Sequence, residues 1–200
     1  MTIDTNDMLN SILESLSRID FIPLKNIPNI DLYMDQVTTL METELATTKR
    51  YPEDKILTKT MINNYAKNNL LPPPTKKKYS KEHVLVLIFI YYFKNILSIK
   101  DIESLLKPIT EHYFHTDTPL QIDAIYEEVC ELEKSRIDAL QEEIQQIYHL
   151  AESTFQNVPK EDRAYLQLFS FICNLSFDVY VKKNLIEKLI DELPSSKGTE

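Results

Sequence analysis

A single glycine, Gly198, stands in these 200 residues, and its scarcity excludes a great deal. Phosphate-cradling loops, dinucleotide-binding turns and nucleophile elbows need glycine where the backbone turns sharply or touches a ligand. Tight β-hairpins lean on Gly and Asn in their primed turns, so hairpin-built sheets are disfavoured as well. The two cysteines, Cys130 and Cys173, have no CxxC spacing and lie in apolar, helical surroundings. They predict buried free thiols in a reducing compartment rather than a disulfide or a metal site. The longest uninterrupted apolar run, Val84 to Phe93, has ten residues, about half of what a bilayer requires. Met1 to Ile19 shows neither a basic nor an apolar leader segment, so no secretory signal, no membrane partner and a cytoplasmic location are expected.

What is present suits a folded helical protein. A hydrophobic content of 43% supports a core, and the length fits one domain or two small ones. The fold class expected is all-α, with at most a minimal β wing. Asp4 to Ile19 has Leu9, Ile12, Leu13 and Leu16 on one helical stripe. Phe21 to Ile30, with Pro23 and Pro28, reads as a linker. Asp31 opens a second helix to about Thr47, with Tyr33, Val37, Leu40, Met41 and Leu45 inward. Thr58 caps a third, to about Asn68. Pro72, Pro73 and Pro74 forbid helix next. Ser80 caps a fourth, roughly Lys81 to Ile96, whose Val84–Phe93 stretch must be covered nearly all round. Ser98 and Asp101 make an acidic capping box for a short helix that Pro108 ends. Thr118, Pro119 and Gln121 open a helix that reaches Ala151, about 50 Å at 1.5 Å per residue. Its apolar steps of three and four are interrupted only between Leu132 and Ile137. Pro159 to Leu175 and Phe177 to Leu193 read as two further apolar helices.

Charge is unevenly placed. Thr48 to Lys100 holds eleven basic and three acidic side chains, a local +8, within a chain of net charge −9. Nucleic-acid binding answers to the local patch rather than the average. Around the third helix, at 100° per residue, Lys59, Asn63 and Lys67 share one row, with Thr60 and Asn64 beside it. Met61, Ile62, Tyr65 and Ala66 take the other side. Asn pairs with adenine edges in a bidentate way, Thr meets either base edge or a thymine methyl, and Lys takes guanine or phosphate. A plain solvated face would mix Glu among its Lys. The three prolines then hold Lys76, Lys77 and Lys78 at a fixed distance from the helix, suited to phosphate or minor-groove contact. Tyr79 either donates to a phosphate or packs beneath the turn.

The run Met61-Ile62-Asn63-Asn64-Tyr65-Ala66-Lys67-Asn68-Asn69-Leu70-Leu71-Pro72-Pro73, followed by Lys78-Tyr79-Ser80 and Ser98-Ile99-Lys100-Asp101-Ile102, resembles the MerR-like helix-turn-helix group. It resembles more closely a bacterial domain-of-unknown-function family carrying that motif. The likeness spans about fifty residues, or about seventy if Tyr33 to Thr47 is the first helix of the motif. It departs from the MerR pattern where the groove-facing Arg and first Tyr fall on Asn63 and Asn64 and the turn Gly falls on Asn69. The connection Thr48 to Leu57 is also longer than a normal helix-turn-helix turn. The resemblance implies DNA binding as a homodimer, with Gln121 to Ala151 placed where such relatives have their dimerisation helix.

Other constellations are weaker. His112, His115 and Asp117, with Glu111 nearby, lack an evident fourth metal ligand. His83 and His149 read as structural, and Glu127, Glu128, Glu131 and Glu133 as a solvated band. No catalytic or cofactor-binding set emerges. Tyr165, Phe169, Phe171, Phe177 and Tyr180 read as core, or alternatively as a pocket for a small lipophilic effector. The expected organisation is a helix and linker over 1–27, a MerR-like winged helix-turn-helix domain over 28–116, a helical dimerisation or effector region over 117–193, and a tail over 194–200. The expected function is a sequence-specific transcriptional regulator and not an enzyme. It would bind double-stranded DNA through Lys59, Thr60, Asn63, Asn64, Lys67, Lys76, Lys77, Lys78 and Tyr79. The alternative is a helical protein–protein interaction module, which calls for an exposed apolar patch.

Overall fold

A computed structural model gives the structure of the protein and describes residues 5–16, 21–116 and 119–193. Asp4, Ile19, Asp117, Thr118, the Leu16 side chain and the tail 194–200, named above, lie outside those described. The described residues are mainly helical: α1 (Thr5–Leu16), α2 (Met34–Glu44), α3 (Lys59–Lys67), α4 (Lys81–Phe93), α5 (Ile99–Tyr113), α6 (Ile122–Lys134), α7 (Ile137–Glu152) and α8 (Lys160–Asp191). One two-stranded antiparallel sheet joins β1 (Leu32–Tyr33) to β2 (Lys78–Tyr79), pairing Leu32 with Tyr79 and Tyr33 with Lys78.

The chain forms two compact units. One comprises Phe21–Cys130 together with the residues from Glu187 onward. At its centre α4 buries every residue from His83 to Tyr91, as a helix apolar all round must. Around it pack Val37, Met41 and Leu45 from the α2 region, Ile62 and Tyr65 from α3, Ile102 and Leu106 from α5, and Ile122 and Tyr126 from α6. Each such large apolar side chain contributes about 1.5–3 kcal/mol on burial. The β-branched and aromatic run therefore stays helical because its surroundings reward burial on all sides. The segment expected as a linker is fastened to this core by Ile22 and Ile27, and the Tyr126 hydroxyl donates to the Ile22 carbonyl at 2.7 Å.

The other unit takes α1 and Glu131–Ile186. Leu9 and Leu13 of α1, Tyr148 and Ala151 of α7 and Phe171 of α8 form its core, with Leu168 and Leu175 partly buried against it. Ile12, expected inward, is exposed. Thus α1 belongs with the last helices rather than with the segment that follows it.

Several helix boundaries differ from those read in the sequence. The long helix expected over Gln121–Ala151 is two, broken where the heptad steps fail. Ser135 there turns its hydroxyl onto the Leu132 carbonyl at 2.7 Å, the local competition that makes Ser a poor helix interior residue. Gln121 itself is the start, its carbonyl accepting from Ala124 and Ile125, so Pro119 is not the first helical residue. Pro108 lies inside α5. Its lost hydrogen bond and ring clash cost about 3 kcal/mol, offset by Ile109, Tyr113 and Phe114, which pack on the core beyond it. The two helices expected after Pro159 are one helix of 32 residues, α8. It contains no Pro or Gly, and Ser176 at the expected break donates to Ile172 one turn back. By length and composition α8 reaches the threshold of a membrane-crossing helix, with mean hydropathy 1.2 over its most apolar stretch, of which only 6% is buried. It holds no long uninterrupted apolar run, because its apolar residues are dispersed among polar ones.

Candidate functional site

The Thr58 side chain accepts from the Met61 amide at 3.2 Å and starts α3. Ile62 and Tyr65 point into the core and fix the roll of the helix. Lys59, Thr60, Asn63, Asn64 and Lys67 are thereby all exposed, and Met61 with them. Among the described residues, the side chains of Thr60, Asn63, Asn64 and Lys67 have no hydrogen-bond or ion-pair partner.

The exit from α3 is closely determined. Asn69 takes φ 58°, and Leu70 donates to the Tyr65 carbonyl at 2.9 Å while Asn69 reaches that of Ala66 at 3.4 Å. This is the Schellman arrangement, with Asn supplying the left-handed residue usually filled by Gly. Leu70 and Leu71 are buried in the same core as Ile62 and Tyr65. The polyproline segment therefore leaves α3 from a fixed point.

The chain then reverses over Thr75–Lys78. Lys76 and Lys77 have φ of 51° and 64°, and the Lys78 amide donates to the Thr75 carbonyl at 3.0 Å. Two consecutive left-handed residues are the signature of the primed turn that normally demands Asn-Gly. The left-handed region costs an ordinary residue about 1–2 kcal/mol. The expectation that a glycine-poor chain avoids such a turn fails here, because buried Leu70 and Leu71 anchor the chain before it and the β1–β2 pairing and buried Tyr79 anchor it after. The consequence is chemical: two lysines occupy the tip, exposed and with no partner among the described residues.

Tyr79 is only 3% exposed. Its ring meets His83 edge-on at 5.5 Å, and burial raises its pKa. Tyr79 thus packs beneath the turn rather than lying on the exposed surface. Lys78 is half-buried, its ammonium 5.4 Å from the centre of the Tyr33 ring.

The local +8 is also smaller in three dimensions, since the fold brings acids from outside the block. Lys59 pairs with Asp35 of α2, Lys49 with Glu42, and Lys81 with Asp123 at 2.7 Å. The Lys49 contact lowers the pKa of Glu42. Lys94 turns inward to the Ile56 carbonyl at 2.6 Å, and burial lowers its pKa. On the candidate surface, Lys67, Lys76 and Lys77 are the lysines with no ion-pair partner among the described residues. Lys59 remains exposed with Asp35, and a surface pair of this kind is worth about 0–1 kcal/mol, little enough for a phosphate to compete.

One network was not legible in the sequence. His83, 1% exposed, accepts from the Ser80 amide through Nδ1 at 3.0 Å. Its ring lies edge-on to Phe114 at 4.8 Å. Burial lowers its pKa to about 4, against a smaller opposing pull from the Pro73 carbonyl, although Nε2 makes no hydrogen bond of good geometry. His115, left-handed at φ 51°, has Nδ1 at 2.6 Å from Glu82 and Nε2 at 3.3 Å from the Ser80 hydroxyl. The Ser–His–Glu order looks like a nucleophile triad, but the Ser80 oxygen also lies 2.8 Å from His83 Nδ1 and serves as the cap of α4. The arrangement works as a fastener between the end of α5 and the start of α4. The only cue in the sequence is Ser80 three residues before His83, which reads as a cap.

Among the described residues, no three His, Cys, Asp or Glu side chains gather at metal-site spacing. A shallow groove of about 450 Å³ runs along α2 between Leu32, Asp35, Thr39, Leu40 and Glu44 and contains no His or Cys. Cys130 is buried as expected, whereas Cys173 is exposed on α8. Of the aromatic cluster assigned to the core, only Phe171 is buried. Tyr165, Phe169, Phe177 and Tyr180 are surface residues, because one continuous helix presents a single side to its unit.

None of the curated proteins or solved structures compared with the chain matches it. A family model matches residues 22–129, nearly the same stretch as the continuous part of the unit Phe21–Cys130. The chain thus belongs to the family described as a domain of unknown function, DUF1836.

Proposed function

We propose that the unit Phe21–Cys130 is a DNA-binding module of MerR-like winged helix-turn-helix type, and that the protein is a non-enzymatic transcriptional regulator acting in the cytoplasm. In this reading α2 supports α3, α3 enters the major groove, and the Thr75–Lys78 hairpin is the wing. The observation that carries it is the uncommitted outer face of α3, Thr60, Asn63, Asn64 and Lys67, joined by a fixed exit to the strained Lys76–Lys77 tip. Asn63 and Asn64 read base edges, preferentially adenine. Lys67, Lys76 and Lys77 neutralise phosphates, and Lys59 joins them by exchanging Asp35 for a phosphate. Tyr79 acts only by supporting the wing.

Selection from a random duplex library tests this reading. The native chain is expected to enrich a common site, and the Asn63→Ala/Asn64→Ala variant to bind DNA without enriching it. Failure of the native chain to enrich any site removes sequence-specific reading. A second reading, a helical protein-interaction module, is favoured by the exposed apolar surface of α8.

A further inference from the structure

The outer face of α3 is chemically biased as well as exposed. Buried Ile62 and Tyr65 set its roll. At 100° per residue, Thr60 and Lys67 stand opposite that pair, with Asn63 and Asn64 to either side. The four form one stripe at i, i+3, i+4 and i+7, the spacing of a single helix face. All four are exposed, and Lys59–Lys67 contains no acid and no arginine. Met61, 36% exposed, flanks the stripe on the side of Asn64.

Guanine is read by a cation that meets its O6 and N7 together, and the two lysines of α3 are placed for other work. Lys59 lies about 90° from the centre of the stripe and is ion-paired with Asp35 of α2. Lys67 stands in the last turn, whereas the N-terminal residues of a recognition helix are the ones that meet base edges. Thr60, Asn63 and Asn64 occupy that end. Asn takes adenine N6 and N7 in a bidentate way, and a threonine methyl packs on the C5-methyl of thymine. From Thr60 to Asn64 the helix rises about 6 Å, against about 3.4 Å between stacked base pairs. The three side chains therefore reach about two or three neighbouring pairs. The exposed Lys76–Lys77 tip favours the same composition, because the narrow minor groove of A-tracts attracts lysine.

We propose that α3 reads a short core of A·T pairs and that Thr60 determines specificity for thymine within it. The Thr60 methyl packs against the C5-methyl of one thymine, next to the adenines held by Asn63 and Asn64. The proposal rests on the DNA-binding reading above and adds the base composition of the site and the role of Thr60. The contact joins two methyl groups, so it can be removed from either side.

The test starts from the duplex that the native chain enriches from the random library. Each thymine of its core is replaced singly by deoxyuridine, which removes the C5-methyl and keeps Watson–Crick pairing. Fluorescence anisotropy then gives the affinity of the native chain and of Thr60→Ser, which keeps the hydroxyl and loses the methyl. The enriched core is expected to be A·T. One deoxyuridine should weaken native binding about fourfold, the effect of one buried methyl group. Thr60→Ser should bind the thymine duplex about fourfold more weakly and lose nothing further with deoxyuridine at that position. A core that contains G·C pairs overturns the proposal and leaves sequence-specific binding standing. So does an A·T core that the native chain binds equally with thymine or deoxyuridine at every position. A Thr60→Ser variant that loses as much as the native chain on each deoxyuridine overturns the role of Thr60. Enrichment of no site removes the DNA-binding reading and the proposal together.

Discussion

At the scale of single residues, His83 has the most distinctive chemistry. It is buried among Tyr79, Phe114 and the Ser80 cap, and its pKa is lowered to about 4. The unfolded chain, with an ordinary histidine near 6.5, binds the proton that the folded chain refuses. Between those two values stability therefore rises with pH and is lost on acidification. Urea unfolding should show a loss of about 2 kcal/mol from pH 7 to pH 5. His83→Leu should flatten that dependence; an unchanged slope would show that the proton is taken up elsewhere. The histidine's identity was visible in the sequence, but its burial was not, since it depends on the distant Phe114. Asn69 is the opposite case. It stands where the resemblance places the turn glycine, and Asn is the residue next best suited to a left-handed cap.

At the scale of elements, the Thr75–Lys78 hairpin joins structure to function most directly. Its two lysines adopt a conformation better suited to Asn-Gly. Lys76→Asn/Lys77→Gly should therefore stabilise the fold by about 1 kcal/mol or more while removing two cations proposed to meet phosphates. Higher stability together with weaker DNA binding, measured by thermal unfolding and titration, would mark the lysines as kept for binding. A destabilised variant would show that the lysines are not strained. The helix starts at Thr58, Ser80 and Ser98 were legible because caps are short-range signals. The ends were less so. Pro108 signals a helix end, yet the packing of Ile109 and Tyr113 on the core carries α5 past it. The two apolar helices expected over Pro159–Leu175 and Phe177–Leu193 are the single helix α8, and nothing local distinguishes an inward from an outward aromatic.

At the scale of the whole molecule, the chain pairs a DUF1836 unit with a second helical unit built from its N-terminal helix and its last two helices. That association joins α1 to partners more than a hundred residues away in sequence, a long-range contact that no periodicity reveals. The local basic charge was legible, but its partial neutralisation by Asp35, Glu42 and Asp123 was not, since those acids come from other segments. The central claim is that Lys67, Lys76 and Lys77 serve a nucleic-acid surface.

The most direct measurement is a fluorescence-anisotropy titration of mixed-sequence duplex DNA at several salt concentrations, comparing the native chain with Lys76→Glu/Lys77→Glu. The account predicts native binding that weakens linearly in log salt, and a variant that binds more weakly with a slope shallower by about 2 per protomer. No native binding at low ionic strength, or a variant with the native affinity and slope, would contradict it.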